Sequence, residues 1–267
     1  MRDAVIGLIG LPRSGTTLIH RAMAAHARVD GVIEPYQTRR AAGYGITALA
    51  DFLADHNIAA DPGRALVVKE TTTRAVNAQH LFELLGSAQS LGIYAGLVII
   101  LRCPFAAYLS QIEAARELWT EKKLTEQSAA AFDAFAQVAR NGLREVVTRA
   151  RRQHYRIISY EQFCAAPDTE LARLMALIPY PMQPQQLALA PAEGGRRGGD
   201  PKSYQKGSEI IRMDRAGQVA ELAHELRGQP LLPFFHELHH LCLEEACRLP
   251  DAAVLDHLTE MVLRRGG

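Results

Sequence analysis

The chain opens on a stretch, Ala4 to Ala27, that begins as a continuous apolar run, passes through a short loop of small and polar residues, and resumes with apolar positions at helical spacing. A run of that kind fits a strand buried on both faces, and the 3.6-residue repeat after it fits an amphipathic helix. The same alternation recurs along the sequence. Asp30-Gly31 marks a turn, and Pro35 keeps Glu34 out of a regular helix, in a loop or short extended segment. Ile46 to His56 carries helical spacing that ends at Asp61-Pro62-Gly63, and Ala65 to Val68 reads as the next strand. Asn77 to Ala88 is predicted as a covering helix, Tyr94 to Leu101 as a further buried strand, and Pro104 as the start of the helix that carries Ser110. A long alanine-rich helix is expected from about Gln127 to His154, with an irregularity at Asn141-Gly142, before a fourth strand from Tyr155 to Ser159. Asp168 reads as the cap of a helix running through Ile178, and the region from Asp214 to Arg265 holds three helical patterns without a strand.

Strands alternating with helices predict an α/β fold with a central parallel sheet flanked by helices, followed by a helical C-terminal portion. The 267 residues are expected to form one domain, 1–267, with a change of character between about 190 and 212. That stretch is rich in Gly, Pro and basic residues and reads as a mobile flap.

The first loop carries the chemistry. Gly10, Gly15 and Thr17 occupy the fixed positions of the phosphate-loop pattern G-x-x-x-x-G-K-[ST], but Thr16 stands where the lysine belongs. The backbone from Arg13 to Thr17 is expected to turn its N–H groups into a concavity, to which the following helix adds the positive end of its dipole. Arg13 supplies the missing cation from inside the loop. Two more basic residues lie where open parallel sheets place their ligands: Lys69 at the end of the second predicted strand and Arg102 directly after the third.

Composition narrows the partners. The formal net charge is +1, so no general attraction to nucleic acid or to an anionic membrane is expected, and anion binding must be local. No apolar run approaches the roughly 20 residues needed to span a bilayer. Cys103, Cys164, Cys242 and Cys247 form no C-x-x-C pair, and the sequence enters its first strand without a cationic leader; both point to a cytoplasmic protein with free thiols.

The segment PRSGTTL resembles the 5′-phosphosulfate loop of sulfotransferases that use 3′-phosphoadenosine 5′-phosphosulfate (PAPS). The resemblance implies a P-loop-type, three-layer fold and assigns Pro12, Arg13, Ser14, Gly15, Thr16 and Thr17 to the 5′-phosphate. It makes Arg102 and Ser110 the contacts to the 3′-phosphate, an arginine being able to clamp phosphate through two donors. Glu34, in IEP, is similar to the catalytic glutamate of carbohydrate and tyrosylprotein sulfotransferases, and its carboxylate would take the proton of an acceptor hydroxyl. Lys69, with Arg13, would steady charge on the sulfuryl group and the bridging oxygen. Ser159-Tyr160-Glu161 is similar to a stretch of the family that is read as mostly structural, and Arg196 and Lys202, with Arg197 and Lys206, lie where relatives cover the nucleotide. The implied activity is transfer of a sulfuryl group from PAPS to a hydroxyl of a carbohydrate, small molecule or peptide, releasing the 3′,5′-bisphosphate (PAP), with no metal. Trp119 is expected to pack in the core or meet an acceptor.

Three other readings compete. An ATP-dependent P-loop kinase or NTPase would need a carboxylate near Mg²⁺, for which the second strand offers Glu70 in place of an acidic strand end. A nucleotide-binding module without catalysis would keep the loop and dispense with Glu34. His236 to His240 reads HELHH and fits the zinc pattern H-E-x-x-H, but the sequence supplies only Glu260 as a third ligand.

Overall fold

The first strand, β1 (Ala4–Gly10), is buried at every residue, which requires cover on both faces and a neighbour on each side. It has all four. In the computed structural model, which describes residues 2–38, 45–117, 128–189, 215–246 and 248–264, β1 lies at the centre of a five-stranded sheet with β2 (Val29–Ile33), β3 (Ala65–Thr71), β4 (Tyr94–Leu101) and β5 (His154–Ser159). The order is β2-β3-β1-β4-β5, and each neighbouring pair is parallel.

Helices connect the strands: α1 (Thr16–Ala24), α2 (Pro35–Thr38), α3 (Leu49–Asp55), α4 (Ala75–Ser90), α5 (Pro104–Glu117) and α6 (Ala129–Ala150). After β5 come α7 (Tyr160–Ala165), α8 (Pro167–Met175), α9 (Ala216–Glu225), α10 (Leu232–His240) and α11 (Asp251–Leu263). Because side chains alternate across a strand, the sheet builds two cores. Ile6, Leu8, Val67, Val98 and Ile100 face Ile19 and Met23 of α1 and Leu171 and Leu174 of α8. Val5, Ile9, Val68, Leu97 and Ile99 face α4, α5, α6 and the C-terminal helices. Phe235 of α10 anchors those helices among Phe105, Phe132 and Phe135, at ring separations of 5.5, 4.8 and 6.1 Å.

Several sequence expectations need correction. The stretch read as a turn at Asp30-Gly31 lies inside β2, so the described residues form five strands in place of the four expected. Gly31 is needed for a close approach: a Cβ there would lie 2.7 Å from the ring of His20 on α1. Asp30 is held by Arg2, and by Arg64 at 2.9 and 2.7 Å. Asn141-Gly142 does not interrupt α6; a Cβ on Gly142 would lie 2.4 Å from that of Thr72, so here too the glycine admits a neighbour. The helix predicted to run through Ile178 ends at Met175, and Pro167 rather than a capping Asp168 opens it. Among the described residues no helix is long and apolar enough to cross a membrane.

Candidate active site

A parallel sheet brings the carboxyl ends of its strands to one edge, the edge at which open α/β sheets bind ligands. Here that edge gathers the loop after β1, Glu34 after β2, Lys69 and Glu70 on β3, Arg102 after β4 and Tyr160 after β5.

The loop after β1 is tightly wound. Arg13 (φ 65°) and Gly15 (φ 86°) both adopt the left-handed conformation, which costs a non-glycine residue about 1 kcal/mol or more. A Cβ on Gly10 would lie 2.5 Å from both the Ile100 carbonyl and Ser14 Oγ. The Ser14 N–H donates to the Leu11 carbonyl at 3.1 Å, so this amide closes the turn and does not face the concavity as the sequence reading expected. The Ser14 hydroxyl is buried toward Gly10, with no hydrogen-bond partner among the described residues. Gly15 is the N-cap of α1 and brings no capping side chain, and the leading N–H groups of a helix have no intrahelical acceptors. Thr16 and Thr17 are buried at the start of that helix.

Beside the loop lies a cationic group. Arg13 Nε donates to Ser110 Oγ on α5 at 3.2 Å, and Arg102 Nη1 donates to the Arg13 carbonyl at 2.5 Å. The Arg102 guanidinium stacks over the Tyr160 ring, 4.3 Å from its centroid. The same ring covers Gly15, where a Cβ would lie 2.1 Å from Cδ2. Tyr160 therefore packs against both the loop and the arginine, and burial pushes its hydroxyl up to about 12. Glu161 accepts from the Cys103 N–H and the Ser159 hydroxyl, each at 3.1 Å, locking the ends of β4 and β5 together.

A second group lies at the ends of β2 and β3. Lys69 is 1% exposed, and its ammonium donates to the Glu34 carboxylate. Glu34 has a left-handed backbone (φ 50°), and its N–H donates to the Lys69 carbonyl at 2.7 Å. Glu70, fully buried, accepts from the N–H groups of Tyr36 at 2.8 Å and Thr71 at 3.3 Å. Burial outweighs those donors and pushes its carboxyl up to about 8. His20 behind this group is held neutral, burial and then the Lys69 charge lowering it to about 3.

No protein-family profile matches the sequence, and no curated protein matches it. Solved structures match over most of its length. The sulfotransferase domain of the Synechococcus PCC 7002 olefin synthase is 14% identical, with 96% of this chain and 93% of that chain covered, at a TM-score of 0.55. A sulfotransferase from Alicyclobacillus acidocaldarius is 13% identical over 91% and 98% of the two chains, at 0.51. The mouse sulfotransferase SULT7A1, in complex with PAP, is 12% identical over 89% of each, at 0.50. The chain has a sulfotransferase-type fold.

Within this sulfotransferase-type fold the HELHH residues go to separate partners. His236 packs on Phe105 at 5.3 Å, His239 Nδ1 lies 3.0 Å from Cys103 Sγ, and His240 pairs with Glu244. Glu237 pairs with His257 and Arg264. Among the described residues no group of three or more His, Cys, Asp or Glu side chains is placed to hold a metal ion. Arg196, Arg197, Lys202, Lys206 and Trp119 lie outside the described residues. The sequence reading joined Arg13 to Lys69; the structure brings Arg13 to Ser110 and Arg102, and Glu34 to Lys69. Ser159-Tyr160-Glu161, read from the sequence as mostly structural, packs beside the loop and Arg102 through a strand pairing, Leu101 opposite Ser159, that no local pattern reveals.

Proposed function

We propose that the chain transfers a sulfuryl group from PAPS to the hydroxyl of an acceptor, a carbohydrate, a small molecule or a peptide. The observation that carries this reading is one sheet edge holding both a left-handed loop that enters α1 at Gly15 and, two strands away, a carboxylate in contact with a buried ammonium. The loop fits a phosphate: left-handed Arg13 and Gly15 curve it, and any side chain at position 15 would drive into Tyr160. Pro12 and Ser14 shape the loop, and Thr16 and Thr17 begin the helix that faces the 5′-phosphate. Arg102 and Ser110, already joined through Arg13, bind the 3′-phosphate; Arg102 exchanges the Arg13 carbonyl for a stronger charged acceptor.

The nucleotide supplies the activated sulfuryl group, and the chain supplies base and cations. Glu34 accepts the proton of the acceptor hydroxyl as the new O–S bond forms and the bond to the 5′-phosphate breaks, releasing PAP. An ammonium carries three donors, so Lys69 can hold Glu34 and still donate to the sulfuryl or bridging oxygen, where negative charge builds. A sulfuryl group bears less negative charge than a terminal phosphate, which suits fixed cations and a loop without the P-loop lysine. An ATP-dependent reading fits less well, because Glu70, its strand-end carboxylate, is fully buried with both oxygens turned to backbone N–H groups.

The test is calorimetric and kinetic. PAP should bind far more tightly than AMP, and Arg102→Ala should lose roughly 1.5–3 kcal/mol of that binding. Glu34→Gln, which keeps an oxygen for Lys69 but cannot take a proton, should lower kcat about 10²- to 10⁴-fold with PAP affinity nearly unchanged. Equal affinity for AMP and PAP, or full turnover by Glu34→Gln, would overturn the proposal.

A further inference from the structure

The Glu34-Pro35-Tyr36 segment has two backbone N–H donors, because proline has none. Both are spent on β3. The Glu34 N–H extends the β2–β3 ladder by one bond to the Lys69 carbonyl, and the Tyr36 N–H reaches the Glu70 side chain. Adjacent residues of a strand point to opposite faces of the sheet. Lys69, opposite Leu8, lies on the α1 face, while Glu70, opposite Ile9, lies on the α4 face. The segment is thus held to β3 from both sides, with the left-handed residue Glu34 at the crossing.

We propose that Glu70 is a positioning residue for Glu34: by accepting the Tyr36 N–H from the far face of β3, it fixes the left-handed turn that aims the Glu34 carboxylate at Lys69. The proposal rests on the reading of Glu34 as the base. A glutamate in the left-handed region persists only where its surroundings over-determine it. Without an anchor at Tyr36, residue 34 relaxes to the extended backbone of β2, and its side chain leaves Lys69. Glu70 itself is sealed from any substrate, being fully buried with its oxygens on main-chain N–H groups. The Tyr36 side chain is held separately, its hydroxyl on the Ile46 carbonyl at 3.2 Å and its ring against Phe52 and His80, so loss of the Glu70 contact need not unpack the residue.

Two variants separate anchoring from general damage. Glu70→Gln keeps an oxygen for the Tyr36 N–H and gives up only the longer contact to Thr71; Glu70→Leu removes the acceptor. With PAPS as donor, Glu70→Leu should lower kcat about 10- to 100-fold with PAP affinity within about twofold of wild type, and Glu70→Gln should stay within about threefold on both. Hydrogen exchange of the Tyr36 amide, read by NMR, should quicken in Glu70→Leu and not in Glu70→Gln. If Glu70→Leu does not fold, Glu70→Asp, which draws the carboxylate back by one methylene, takes its place with the same expectation. Wild-type kcat and Tyr36 exchange in Glu70→Leu would overturn the proposal, as would Glu70→Gln being as impaired as Glu70→Leu. Should the wild-type chain transfer no sulfuryl group, the assignment of Glu34 as base fails, and the exchange of the Tyr36 amide decides the anchoring by itself: equal rates in all three proteins overturn it.

Discussion

Gly15→Ala adds one methyl group where the loop after β1 enters α1. Two costs arise. The backbone at this position is left-handed, which costs an L-residue about 1–2 kcal/mol. The new Cβ would also lie 2.1 Å from Tyr160 Cδ2 and 2.7 Å from Cε2. The nearer contact needs more than 1 Å of movement, and overpacking of this kind costs roughly 1–3 kcal/mol. The ring has little room to yield, because the Arg102 guanidinium lies over its face at 4.3 Å. The sum, about 2–5 kcal/mol, corresponds to a fall in Tm of roughly 4–10 °C for a chain of this size. Urea denaturation of Gly15→Ala, Tyr160→Ala and the double variant separates the two costs. Removing the ring should cancel the overlap and leave the backbone cost, so the double variant should be more stable than the sum of the singles by about 1–3 kcal/mol. Additive effects would refute the packing argument, and a Gly15→Ala protein as stable as wild type would refute both parts.

Burial raises the Glu70 carboxyl to about 8, so between about pH 5 and 8 the folded chain holds a proton that the unfolded chain has released, and stability falls as pH rises through that window. Glu70→Gln removes this dependence: its stability relative to wild type, measured in urea from pH 5 to 8, should improve with pH by on the order of 3 kcal/mol, and a constant difference would count against the raised value. Glu34→Ala leaves the Lys69 ammonium, with 2% of its side chain exposed, without its carboxylate and should cost about 3–5 kcal/mol; Lys69→Met on that background should restore most of it, whereas additive losses would deny the pairing. Cys103 is 4% exposed and burial pushes its thiol up to about 11, so iodoacetamide at pH 8 followed by mass spectrometry should label it only after unfolding, and rapid labelling of the native chain would contradict its placement beside His239.

The glycine spacing of the loop after β1 and four of the five strands among the described residues were legible in the sequence because each announces itself locally. β1 and β4 are unbroken apolar runs, and the loop needs glycine at fixed spacing. Lys69 and Arg102 were readable for the same reason, each being a charge set at the end of an apolar run. β2 was not: it is an edge strand with the sequence VDGVI, exposed in part, and its Asp30 and Gly31 carry turn propensity that long-range contacts override. Those contacts involve Arg2 and Arg64 for the aspartate and His20 for the glycine, and no local pattern contains them. The grouping of the site belongs to the same class. Arg13 and Ser110 are 97 residues apart, Glu34 and Lys69 35, and Tyr36 and Glu70 34. Sequence alone determined which residues could carry charge at a strand end, since that depends on the period of apolar burial. Which charge meets which was decided by strand order and parallel register, a property of pairing between distant segments that only the folded sheet expresses.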